Sequence, residues 1–378
     1  MHRAAGPIAL VAAALCASGC SVFGSSKETL PALPALQQTT PARVVSHVGV
    51  GKSAVPGQAG PTVDDDRYYV VGEPGELAAF DTATGRPLWR VDTKERLSAG
   101  VGAADGLVAV GTRKGDLLAF DRDGKARWRA ALGSDVAVAP AVGQGAVVVR
   151  TGDGHIVGLS ASDGSRKWAF ARNTPVLVLH ASGAPAISDK VAYVPFPGGK
   201  LLAVEVDSGK VLWEATVAVP KGSTELERIA DITGFPAIDP RQVCAATFQG
   251  RVACFDTASG SGIWAHDASV PHGQSADSAR LVVSDERGRL LAYRRSDGAP
   301  LWTQDKLQGR HLSGPAVTER SIVVGDIEGY VHFIDPESGE LTGRVATDGS
   351  PVMGQVASLG KGAVVSTAKG GVYQVAAP

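Results

Sequence analysis

The sequence has no excess of charge of either sign: Lys+Arg number 37 against Asp+Glu 38, a formal net charge of -1. No basic run interleaved with aromatics occurs either, which removes nucleic-acid binding from the expected functions. After the first twenty residues no stretch keeps a 3.6-residue apolar period, so a helical fold is excluded, and no run approaches the roughly 20 apolar residues that a membrane-spanning helix needs. Neither a Gly-x-Ser-x-Gly elbow nor a phosphate loop is present. The eight histidines, among them His155, His180, His266, His272, His311 and His332, lack metal-ligand spacing. Cysteine is scarce. Of four, only Cys244 and Cys254 lie beyond residue 20, on either side of a hairpin centred near Gly250. An oxidising compartment permits a structural bridge there if the two face each other, and register by one position forbids it.

What is abundant is glycine, 47 residues, and a repeated phrase. Phe80-Asp-Thr-Ala-Thr-Gly-Arg-Pro-Leu-Trp89 returns as Phe255 to Trp264, more loosely at Leu159 to Trp168, Val204 to Trp213 and Tyr293 to Trp302, and one residue shorter at Phe120 to Trp128. All six tryptophans of the chain occupy the same place in it. Five residues before each phrase stands a glycine (Gly75, Gly115, Gly154, Gly199, Gly250, Gly288, Gly329 and Gly370), preceded and followed by short apolar runs. Glycine supplies the positive φ of a tight hairpin, and the Asp-x-x-Ser/Thr/Asp-Gly core of the phrase supplies a second turn whose side-chain oxygens cap local N–H groups. With a short strand before each run, often opened by proline (Pro140, Pro185, Pro236, Pro315), each unit has four strands.

Four antiparallel strands repeated eight times predict an all-β fold: an eight-bladed β-propeller over residues 42–378. The seventh phrase has Gly343 where tryptophan is due, and the eighth stops at Val375. An open last blade leaves an unpaired edge. Arg43-Val-Val-Ser-His-Val-Gly-Val has the alternation of a lone strand and is expected to close the ring as the outermost strand of that blade.

The N-terminus has Arg3, an apolar run from Ile8 to Leu15 and Ala17-Ser-Gly-Cys20, the pattern of an export signal over residues 1–19. Small residues before a cysteine resemble the bacterial lipoprotein box, which implies acylation of Cys20. Ser21 next to it implies, on the same resemblance, the outer membrane as destination, with the protein facing the periplasm. Residues 20–41, rich in small residues and proline, read as a flexible tether.

The repeated phrase also resembles the tryptophan-docking repeat of pyrroloquinoline-quinone (PQQ) enzymes. A periplasmic PQQ-dependent dehydrogenase is therefore the alternative function. Such an enzyme requires a calcium with carboxylate and amide ligands in the central funnel and an acidic base, and no such cluster or adjacent-cysteine pair stands out. Six tryptophans at one repeat position suit packing between blades, each N–H reaching a neighbouring turn. The chain is expected to be non-catalytic and to carry no cofactor.

Insertions in a repeat protein mark its working face. Trp128 and Pro140 are 12 positions apart and Trp302 and Pro315 are 13, whereas Trp168 to Pro185 is 17 and Trp213 to Pro236 is 23. The two long connections carry Leu177, Leu179, Ile229 and Ile232 and fall on one face in neighbouring positions. These loops, the lipoprotein box, the Pro-rich tether and the stretches Gly-Ser-Thr-Glu-Leu-Glu-Arg-Ile-Ala-Asp (222–231) and Val-Val-Gly-Asp-Ile-Glu-Gly-Tyr-Val-His-Phe-Ile (323–334) resemble the propeller lipoproteins of the outer-membrane β-barrel assembly (BAM) machinery. The resemblance implies an accessory subunit that docks on a periplasmic POTRA domain of the central barrel subunit, BamA, and helps outer-membrane proteins reach it, unfolded clients included. It places docking at Leu177, Leu179 and His180 in the first loop, with histidine in place of the family's arginine. In the second loop it places docking at Arg228, Ile229, Asp231 and Thr233, with threonine in place of the second aspartate.

Overall fold

The computed structural model describes residues 2, 30–36, 41–54, 60–173, 175, 177–179 and 183–377. Cys20 and His180 lie outside the described residues, as does nearly all of the segment 1–29. The described strands fall into eight sheets. Seven blades are built from consecutive strands, their four-stranded cores running from Thr62 to Asp92, Leu97 to Ala131, Ala141 to Ala171, Ala186 to Thr216, Ile232 to Ala268, Gln274 to Gln304 and Ala316 to Ala346. They are blades 1 to 7 below. Ser53–Ala54 adds a fifth, two-residue strand to blade 1.

Blade 8 takes Val352–Leu359, Gly362–Thr367 and Gly371–Ala376 from the C-terminus and its outer strand, Arg43–Gly49, from the other end of the fold. That strand runs antiparallel to Gly371–Ala376, with Val44 opposite Val375 and Val48 opposite Val372, and His47 stacks on Tyr373 at 4.2 Å between ring centroids. The ring is closed as its sequence implies.

Burial follows strand position. The second and third strands of a blade have neighbours on both faces and are mostly apolar and buried, as in Leu107–Thr112, buried at every residue. Outer strands such as Ala126–Ala131 alternate between exposed and half-buried. The core is distributed: an apolar cluster fills each blade-to-blade interface, from Tyr69, Val71, Val108 and Phe120 between blades 1 and 2 round to Tyr68, Val70, Val364 and Val372 between blades 8 and 1.

The phrase acts across those interfaces. Each indole N–H donates to the backbone carbonyl of the third phrase residue in the next blade: Trp89 to Arg122 at 2.7 Å, Trp128 to Ala161 at 3.0 Å, Trp168 to Val206 at 2.7 Å, Trp213 to Thr257 at 2.8 Å, Trp264 to Arg295 at 2.8 Å and Trp302 to Pro336 at 3.0 Å. Each ring also lies against the next blade's phrase glycine. A Cβ on Gly124, Gly164, Gly209, Gly260, Gly298 or Gly339 would approach ring carbons to between 2.6 and 2.8 Å, and all six glycines have φ between 71° and 80°. Only glycine meets both demands. At the closure, where no tryptophan is available, Gln374 Nε2 donates to Thr82 O at 2.7 Å, the same phrase position in blade 1.

Two local details differ from the sequence reading. Of the eight hairpin glycines, Gly115, Gly154, Gly199, Gly288, Gly329 and Gly370 have positive φ, whereas Gly75 and Gly250 do not; before Gly250 it is Gln249 that takes φ 49°. Pro140, Pro185 and Pro315 stand directly before inner strands, but Pro236 lies within Ile232–Ile238, where the pairing slips between Thr233 and Ala237. Cys244 and Cys254 are directly opposed across their hairpin and joined in a disulfide, with Cα atoms 4.0 Å apart.

Candidate partner-docking site

In a four-stranded antiparallel blade, the crossing from an outer strand to the next inner strand emerges on the same face as the hairpin between the second and third strands. The long crossings from blade 3 to 4 and from blade 4 to 5 therefore share a face with the Gly198-Gly199 hairpin of blade 4, and Asp231 ties all three together. Its carboxylate accepts the N–H of Leu179 at 2.7 Å through one oxygen and that of Gly198 at 2.8 Å through the other, while its backbone carbonyl accepts the N–H of Phe248 at 3.0 Å. The side chain is buried, at 2% exposure.

Arg150, at the end of the second strand of blade 3, lies within the field of Asp231. Burial pushes the pKa of its guanidinium down to about 10, while the aspartate charge opposes that shift. A buried carboxylate is retained only where donors and an opposite charge compensate its desolvation, and both are present.

The second crossing has its own local order. Ser223 N and Thr224 N donate to Glu227 Oε2 at 2.7 and 3.1 Å, and Glu227 N donates to Thr224 Oγ1 at 3.3 Å, a reciprocal Thr-x-x-Glu arrangement that makes one tight turn. These hydrogen bonds, those from the Thr224 and Ser223 backbone foremost, hold the Glu227 carboxyl below the usual range. Arg228 donates from Nε to Gly222 O at 3.1 Å and pairs with Glu225 at 3.2 Å, leaving its guanidinium exposed on the loop surface.

The residues singled out from sequence divide into displayed and supporting groups. Leu177 is 40% exposed, Leu179 is half-buried and Arg228 is exposed. Ile229, Asp231 and Thr233 are buried, and the Thr233 hydroxyl donates to Val270 O at 2.8 Å on the next crossing. Ile232 also faces the core, so two of the four apolar side chains read as loop surface belong to the interior. Their place is taken by residues that the sequence reading passed over: Val178 at 37%, Val219 at 57% and Leu226 at 67% exposure. The Thr224-x-x-Glu227 spacing was the available signal for Leu226, because a one-turn cap between two acidic residues pushes the intervening leucine outward. Nothing in the local sequence marks Arg150.

The centre of the disk holds a cavity of about 300 Å³ lined by Thr62, Phe235, Ser275, Gln355 and Val356 among others. Among the described residues no group of three or more His, Cys, Asp or Glu side chains converges as a metal site.

Fold and site together define an eight-bladed, quinoprotein-like propeller on which two long, coupled crossings display apolar side chains on one face. Comparison with known proteins specifies it further. The family model for outer membrane protein assembly factor BamB matches residues 34–96, 73–304 and 293–377, and the chain belongs to that family. Proteins of that name from Nitrosomonas eutropha, Bordetella pertussis and Burkholderia pseudomallei are 43%, 37% and 35% identical, over 83%, 96% and 99% of this chain and 77%, 95% and 98% of their own. The crystal structure of BamB from Moraxella catarrhalis superposes with a TM-score of 0.79 at 24% identity, covering 89% of this chain and all of that one. Quinohemoprotein alcohol dehydrogenase from Comamonas testosteroni reaches 0.69 at 15% identity, over 90% of this chain and 78% of its own, a likeness of fold alone.

Replacing Asp231 with alanine would strip two backbone donors of their acceptor and a buried arginine of a nearby opposite charge. The expected loss of unfolding free energy is roughly 3 kcal/mol in urea titration. A variant as stable as the parent would show that Asp231 does not hold the crossings together.

Proposed function

We propose that the chain is a non-catalytic accessory subunit of the outer-membrane protein assembly complex. It docks through its two long crossings on the periplasmic POTRA region of the central barrel subunit and aids delivery and insertion of outer-membrane proteins. The observation that carries this reading is the bridge from Asp231 to Leu179 and Gly198, which couples the crossings so that Leu177, Val178 and Leu226 are displayed rather than buried. Apolar side chains held at a preorganised surface are what a docking interface uses as anchors, because little ordering entropy remains to be lost on binding.

Ile229, Asp231 and Thr233 act in this reading as supports behind the contact surface, and Leu177, Leu179 and Arg228 as the surface itself. Threonine in place of the family's second aspartate then removes no charge from the interface, since the Thr233 side chain is buried and occupied by Val270 O. His180 completes the first loop at the position where the resemblance implies an arginine.

Residues 1–19 serve as a lipoprotein signal and Cys20 as the acylated first residue of the mature chain. Each buried acyl CH₂ contributes roughly 0.8 kcal/mol, so several chains on one cysteine hold the propeller at the periplasmic surface of the outer membrane where a single chain would not.

Capture of the barrel subunit by the Leu177→Asp/Leu226→Asp variant should fall by at least about tenfold, the equivalent of ~1.4 kcal/mol, with the melting temperature unchanged; full capture by a folded variant would overturn the site. In cells fed radioactive palmitate the wild type should be labelled and Cys20→Ala should not, and equal labelling of both would remove Cys20 as the anchor.

A further inference from the structure

Pro31-Ala-Leu-Pro-Ala-Leu36 belongs to the same compact unit as the propeller, and its contacts are made by side chains of blade 7 and of the crossing that leads into it. Arg310 Nη1 donates to Pro31 O at 2.7 Å and Arg344 Nη2 to Pro34 O at 2.8 Å. Both guanidinium groups stand over the ring of Tyr330, at 5.9 and 6.0 Å from its centroid. Gly309 approaches so closely that an added Cβ would lie 3.0 Å from Pro31 Cγ. Along the segment Leu33 and Leu36 are half-buried while Ala32 and Ala35 are exposed. Carbonyl contacts and leucine burial thus both recur every three residues, the period of a polyproline II helix.

The receiving side is held by contacts within the propeller itself. Arg310 is 1% exposed and is held by Asp326 at 2.7 Å through Nε and by Glu328 through Nη2. The imidazole of His332, wholly buried, faces Asp326 Oδ2 at 3.0 Å with Nε2 and receives Arg344 Nε at 3.3 Å on Nδ1. Those roles are mutually consistent for a neutral ring, and burial pushes its pKa down. A chain of contacts, Arg310–Asp326–His332–Arg344, therefore spaces two donors across one aromatic ring. Aromatic surface flanked by directed donors is the recognition chemistry of Pro-x-x-Pro segments, whose stiffness leaves little entropy to lose on docking.

We propose that this site on blade 7 is an intramolecular receptor for the chain's own Pro31-x-x-Pro34 segment, and that it sets where the N-terminal arm meets the disk. Arg310 lies on the crossing from blade 6 to 7, and Asp326 and Glu328 in the hairpin of blade 7. The arm therefore arrives on the face that carries the docking crossings. One consequence rests on the acylation of Cys20: with the segment docked, the eleven residue steps from Cys20 to Pro31 span at most about 40 Å, against about 80 Å if the chain were free up to Arg43. Docking halves the reach and keeps the face of the two loops toward the membrane side.

The test places the photocrosslinker p-benzoylphenylalanine at Ala32 in the full chain and maps the products by mass spectrometry. Crosslinks should concentrate on residues 305–330 and fall at least tenfold in Leu33→Asp/Leu36→Asp and in Arg344→Ala, with the melting temperature of the leucine variant unchanged. Crosslinks scattered over all blades, or an undiminished yield in the leucine variant, would overturn the receptor. A protein that crosslinks at blade 7 but takes up no palmitate keeps the receptor and loses only its membrane consequence.

Discussion

The indole of one blade resting on the phrase glycine of the next is the contact on which the ring depends. It makes two demands at once. The glycine must turn the chain through a left-handed conformation, and it must leave room for a ring whose N–H reaches the carbonyl three residues earlier in the same phrase, or two in the shorter phrase of Gly124. Each demand restricts a different blade, so the repeat carries its own instructions for assembly: tryptophan on the outer strand here, and next door the phrase glycine, in a turn that opens on aspartate in several blades. The aspartate of that turn supplies the local half of the order, as when Asp81 accepts the Thr84 N–H at 2.7 Å and Asp256 that of Ser259 at 2.8 Å.

The closure is where repetition fails and another device takes over. Blade 8 borrows its outer strand from the N-terminal end of the fold, so no phrase turn follows Val375 and no tryptophan lies on that strand. Gln374 reaches Thr82 O instead, joining blade 8 to blade 1 at the carbonyl an indole would have used. A side-chain amide supplies the hydrogen bond but far less buried area than an indole. The antiparallel pairing of Arg43–Gly49 with Gly371–Ala376, six residue pairs with a shift of register between Val44 and Ser46, makes up the difference.

The fold was legible because it is written many times: a period that recurs with its tryptophan always in one place leaves little choice of architecture. The partly open strand could be assigned because an unpaired edge must be covered. Single positions were less readable. Whether Cys244 meets Cys254 depended on hairpin register, which the structure supplies as a direct pair. At the two long crossings, side-chain direction did not follow from hydrophobicity. Ile229 and Ile232 turn inward because Asp231 between them is drawn to Leu179 and Gly198, and Leu226 turns outward on its capped turn. Arg150 is distant in sequence, and only the ring brings it near Asp231.

The periodic and aperiodic parts of the chain thereby divide: the phrase braces blades 1 to 7 through six indole contacts, and the two crossings that break its spacing are the ones proposed to carry recognition. The most direct measurement of the bracing claim is a double-mutant cycle on Trp213 and Gly260 by urea unfolding. Trp213→Ala should cost roughly 3 kcal/mol, and Gly260→Ala should also destabilise strongly. Because both remove the same contact, the double variant should fall short of their sum by at least about 1 kcal/mol. Strictly additive losses would contradict the account, since they would mean that the ring and the glycine contribute independently.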